Sequence, residues 1–131
     1  MLSEARDRCL DAIKHAEQAL RERPSREVQL TAATAWRALG MTLAKEPVQR
    51  NQINIGTKPI SANSCFYRSE KLLQESGDRS RHELAKTWRA WGIYRLFLGQ
   101  PEKAKPLLEK AQELFQTCKM EWETEIIRQL L

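Results

Sequence analysis

Few side chains in this 131-residue chain could do covalent or metal chemistry, and those few stand apart. His15 and His82 are separated by 67 residues, and neither has a Cys or His at ligand spacing. There is no His-x3-His, no Cys-x2-Cys and no Gly-Lys-Ser/Thr loop of the kinds that hold zinc or phosphate. Asp7 with Asp11, and Glu121 with Glu123 and Glu125, are carboxylates at helical spacing, and such residues are usually solvated. Cys9, Cys65 and Cys118 are odd in number and widely spaced, each on or at the end of a helical stretch. They read as small packing residues kept reduced, which implies a cytoplasmic location. The expectation is a non-enzyme with no metal and no cofactor.

Charge is the other source of chemistry. The net charge of +5 is spread thinly: +1 over residues 1–46, +2 over 47–79 and +2 over 80–131. Nucleic-acid domains usually gather such charge on one face or helix. One local group does exist, with Arg79, Arg81, Lys86, Arg89 and Arg95 around Trp88 and Trp91. It fits a solvated helix face beside core tryptophans, and equally a basic surface for a partner. At 41% hydrophobic and 30% charged residues, the chain has the composition of a single globular domain. No apolar run approaches the ~18 residues of a membrane span, so no membrane partner is expected.

These residues must be positioned by helices, and the helices repeat. Ala33-Thr34-Ala35-Trp36-Arg37-Ala38-Leu39-Gly40 returns 52 residues later as Ala85-Lys86-Thr87-Trp88-Arg89-Ala90-Trp91-Gly92, with five of eight positions identical. Behind the second copy stand Gly99, Ala104, Leu108 and Ala111; behind the first stand Ala62, Phe66 and Ser69. Small residues at these places let two helices approach closely, and Trp88, Trp91, Leu107, Leu108 and Leu114 are expected to fill the seam. Six helices follow from the apolar spacing, near 3–22, 26–46, 61–76, 80–98, 101–117 and 120–130. Ser25 is placed to cap the second helix. Ser80 with Glu83 has the spacing of a capping box, and Gly99 followed by Pro101 is the stop-and-start of a helical hairpin. No stretch alternates with period two for long enough to define a strand, although Ile53, Ile55 and Ile60 leave room for a short extended piece.

The run Trp88-x2-Trp91-Gly92-x6-Gly99-x4-Ala104-x3-Leu108-x2-Ala111 resembles the tetratricopeptide repeat. One departure is visible: the family's Tyr is Arg95 here, with Tyr94 one step early. Gly92 to Ala104 spans 12 residues, whereas Gly40 to Ala62 spans 22, so the first copy carries ten extra residues within 47–60. Without them the repeat is 42 residues long, against about 34 in the common form. This is similar to the longer-helix variant found beside ATPase, cyclase and transcription-regulator modules in bacterial signalling proteins. The resemblance covers roughly residues 25–131 and implies an all-α, right-handed solenoid of antiparallel helix pairs. The implied layout is one domain over 1–131. Residues 1–24 form a half-repeat, 25–78 a repeat with a solvent-exposed inserted loop at 47–60, 79–117 a second repeat, and 118–131 a capping helix.

In such repeats the first helix of each pair lines a concave groove. The resemblance therefore implies a protein-binding module, part of a larger regulatory protein or a small adaptor. The residues it would present are Arg37, Met41 and Lys45 in the first copy and Lys86, Arg89, Ile93 and Phe97 in the second. A basic groove favours an acidic peptide segment or a C-terminal carboxylate. The family's carboxylate-clamp Asn is absent at the matching sites, which carry Met41 and Ala90, so that specificity is not transferred. Two other functions stay open: a nucleic-acid-binding module using Arg37 and Arg89, and self-association through an uncovered end.

Overall fold

The computed structural model describes residues 2–46, 52–55 and 58–131. It is mostly helical. Six α-helices lie among the described residues: α1 (Leu2–Glu22), α2 (Arg26–Ala44), α3 (Ala62–Glu75), α4 (Arg81–Phe97), α5 (Pro101–Thr117) and α6 (Glu121–Leu130). Each is within two residues of its sequence expectation. An antiparallel hairpin, β1 (Gln52–Ile55) with β2 (Lys58–Ser61), stands between α2 and α3. The chain divides into two compact units, Met1–Ser76 and Gly77–Leu131.

In the first unit α2 packs against both α1 and α3. Ser25 caps α2 as expected, its Oγ accepting the Val28 N–H at 3.1 Å. Ser61 does the same for α3 through the Ser64 N–H. The buried face of α2 is Ala32, Ala33, Trp36, Leu39, Gly40 and Leu43, a helical stripe. It meets Ala62, Cys65, Phe66 and Ser69 of α3, all fully buried. From α1 come Ile13 and Ala16. A Cβ built on Gly40 would lie 3.1 Å from Cβ of Cys65 and from the Phe66 ring, so this crossing is close because the residue is glycine.

In the second unit α5 packs against α4 on one side and α6 on the other. Its core is Ala85 and Trp88 of α4, Ala104, Leu108, Ala111 and Phe115 of α5, and Ile127 of α6. Leu107 and Leu114 pack onto this cluster from its edge. Trp91 departs from the expected seam and is only half-buried. It lies about a quarter-turn from the stripe defined by Ala85, Trp88 and Gly92.

Two other expectations are corrected. Ser80 makes no side-chain capping bond. It ends a single 3-10 turn, Asp78–Ser80, with ψ near 13°, whereas a capping Ser needs an extended backbone to reach the N–H groups ahead. Glu83 instead approaches Lys86 and His82, each at 3.5 Å. The segment 47–60 is not a bare exposed loop where it is described, because it carries the two strands. Ile53 pairs with Ile60, and Ile55 with Lys58, so these four side chains share one face of the hairpin. The three isoleucines are half-buried, while Asn54 and Pro59 on the other face are exposed. Residues 47–51, 56 and 57 lie outside the described residues.

The ends of α4 and α5 use one device. After α4, Gly99 has φ +72° and the Gln100 N–H reaches back to the Arg95 carbonyl at 2.9 Å. After α5, Lys119 has φ +60° and the Met120 N–H reaches the Phe115 carbonyl at 2.8 Å. The bond spacing is that of a Schellman cap in both cases. Only the first has the glycine that adopts a left-handed backbone without strain.

Candidate functional site

The seven residues expected at a partner surface fall on two helices in separate units. On α2, Arg37 is half-buried, while Met41 and the C-cap residue Lys45 are exposed. On α4, Lys86, Arg89, Ile93 and Phe97 follow one another at intervals of three and four, which aligns them on one helix face. Met41 and Ile93 each expose 44% of their surface and Phe97 exposes 76%, large values for side chains of this kind. Lys86 pairs with Glu83 at 3.5 Å. The Arg89 guanidinium lies 5.1 Å from the centroid of the Phe115 ring, over the α4–α5 seam, so its charge is partly committed to packing.

The wider basic group around Trp88 is similarly engaged. Arg81 meets Asp78 at 3.0 Å, and Arg95 donates to Gln100 at 2.8 Å. Lys110 of α5 stands 5.5 Å over the Trp88 ring. An anion binding here would have to draw these cations from existing partners.

The first unit holds a site that the sequence did not reveal. A cleft of about 430 Å³ is floored by Trp36 and walled by Ile55, Lys58 and Ile60 of the hairpin, with Glu17 of α1 and Arg68 of α3 beside them. The Trp36 indole N–H donates to Glu17 Oε1 at 2.8 Å. Arg68 Nη2 lies 3.4 Å from both oxygens of the same carboxylate. Glu17 thus carries one buried donor and one cation, and its side chain is only 23% exposed. Lys58 has no ion-pair partner among the described residues. The missed signal was the alternation of Ile53-Asn54-Ile55 ahead of Gly56-Thr57, a Gly-first pair of the composition two-residue hairpins favour.

The cysteines remain unpaired thiols. Burial pushes the Cys65 thiol up to about 12, with the neighbouring Cys9 adding to the effect, so it is protonated and unreactive at neutral pH. Among the described residues no group of three His, Cys, Asp or Glu side chains could hold a metal ion. No described helix is long and apolar enough to cross a membrane. No family model matches the chain, and no curated protein or solved structure matches it either.

Proposed function

We propose that this chain is a protein-binding module of tetratricopeptide type, a cytoplasmic adaptor or a part of a larger regulator. In this reading α2 and α4 are the first helices of antiparallel solenoid pairs, and their outer faces take the partner. Arg37, Met41 and Lys45 act on α2; Lys86, Arg89, Ile93 and Phe97 act on α4. The observation that carries the reading is the stripe on α4, where Ile93 and Phe97 stand exposed one turn apart beside two cations. A large apolar pair costs free energy in water and is released from it by a partner. Flanking cations add selection for an acidic segment and speed its approach.

Site-specific photo-crosslinking tests this. A benzophenone side chain placed at Phe97 or Met41 in the native cell should trap a defined partner. The same group at exposed Glu109 should trap nothing above background. With that partner purified, Arg89→Glu should weaken binding at least about tenfold, and the Arg37→Glu, Arg89→Glu pair should abolish it. The melting curve should shift little, because the cation–π contact at Phe115 is worth only about 0.5–1 kcal/mol. A binding constant that falls steeply with salt on a nucleic-acid ligand would favour the nucleic-acid alternative instead. Equal trapping at all three positions would remove the assignment of these faces.

A further inference from the structure

We infer that the cleft walled by the inserted hairpin is a binding site for a small monocarboxylate with an apolar body. This is independent of the protein-binding faces, because the cleft lies wholly within the first unit and uses none of their residues. Its volume, about 430 Å³, falls in the range of small-molecule sites.

The lining selects the ligand. The apolar surface comes from Trp36, Ile55 and Ile60, which a hydrocarbon or aromatic body would cover. Against the single carboxylate of Glu17 stand two cations, Arg68 and Lys58, so the site has one positive charge in excess. Glu17 is already satisfied by the Trp36 indole and by Arg68. Its contacts with Arg68 are long, at 3.4 Å, and the Arg68 side chain is 44% exposed, which leaves other guanidinium N–H groups for an incoming anion. A monoanion neutralises the excess. A dianion such as a phosphate monoester would place a second negative charge beside Glu17 with nothing to offset it.

The hairpin explains why this repeat has a cleft. The ten extra residues that separate the two copies bring in Ile55, Lys58 and Ile60, three of the walls. Their placement on one face of the hairpin is set by the strand register, with Ile55 opposite Lys58 and Ile60 two residues further on.

Trp36 provides the readout, since it is the one tryptophan of the first unit and its indole N–H is part of the site. The full chain, labelled with nitrogen-15, would be titrated with 4-phenylbutyrate and with octanoate, each against its primary amide, and with phenyl phosphate. The Trp36 indole signal should move saturably with the two acids while the other tryptophan signals stay. The amides should bind at least about tenfold more weakly, the loss expected when a charge-assisted contact is removed. Lys58→Glu should weaken the acids by a similar factor and leave the helical circular dichroism unchanged, because Lys58 is exposed on a strand. Should Arg68→Gln disturb the fold through Glu17, Lys58→Glu alone decides. Three results would each overturn the inference: no movement of Trp36 at millimolar acid, amides that match the acids, or phenyl phosphate that binds more tightly than either acid.

Discussion

Trp36 and Trp88 occupy the same place in the same eight-residue block and are equally buried, each 8% exposed. Four residues on, Gly40 and Gly92 each admit a neighbouring helix. There the likeness ends. Trp88 packs into an apolar cluster with Ala104, Leu108 and Ala111 of α5. Trp36 is tied by its indole N–H to a carboxylate from a third helix and floors an open cleft. The repeated residues are those that a close helix crossing requires. What differs between the units is supplied by residues with no counterpart in the repeat: Glu17, Arg68 and the inserted hairpin. A repeat can therefore specify packing while the neighbours of its tryptophan specify chemistry.

The sharpest test of the packing half compares the two glycines. A Cβ at Gly92 would meet Leu108 Cγ and Cδ2 at 2.7 Å, closer than real contacts allow, and Leu108 is itself fully enclosed. Gly92→Ala should lose about 1–3 kcal/mol by overpacking, and Gly92→Leu more. At Gly40 the nearest atoms are at 3.1 Å. There the roughly 0.5–1 kcal/mol that a helix gains when Ala replaces Gly should offset much of the strain. Urea unfolding followed by helical circular dichroism would show the difference. Equal losses at both sites would mean that the two crossings are not distinguished by their closeness.

Glu17 tests the other half. Glu17→Ala leaves the Trp36 indole N–H without its acceptor and Arg68 without its carboxylate. An unsatisfied buried donor costs about 1–3 kcal/mol, whereas Glu17→Gln keeps a carbonyl acceptor and should lose less than half of that. The Trp36 indole proton signal should shift strongly in the first variant and weakly in the second, with Trp88 unmoved in both. If Glu17→Ala is as stable as the parent, the polar frame contributes nothing net to the first unit.

A smaller effect distinguishes the residues opposite the two glycines. Gly40 faces Cys65, whereas Gly92 faces Leu108, which does not titrate. The Cys65 thiol rises from an ordinary value of 9.0 to about 12, chiefly through burial. A group with a raised native value stabilises fully below its unfolded value, and that stabilisation fades as pH climbs toward the native one. The window is therefore pH 9 to 12, and about 1 kcal/mol should be gone near pH 10. Cys65→Ala should flatten the fall in stability between about pH 8.5 and pH 10 relative to the parent. An identical pH profile would show that burial of this thiol is not felt by the fold.

The helices were legible because their signals are local. Ser25, Gly99 and Pro101 act on backbone groups within a few residues, and the Trp–Gly block carries the crossing within one turn. Ser80 failed as a cap although its spacing was right, because a capping bond depends on backbone angles that the preceding 3-10 turn sets. The hairpin was passed over because each strand has only four residues, too few for alternation to stand out from chance.

By itself, the sequence determined the helix count, their limits to within two residues and the glycines at the crossings. All of these rest on contacts between residues close in the chain or on a pattern stated twice. Tertiary structure decided which charged groups meet which partners. Glu17 reaches Trp36 across 19 residues and Arg68 across 51, and the hairpin joins them only when α1, α2 and α3 have packed. No spacing rule encodes such a meeting, because a side chain's charge partner and its access to water are properties of the folded surface rather than of the chain.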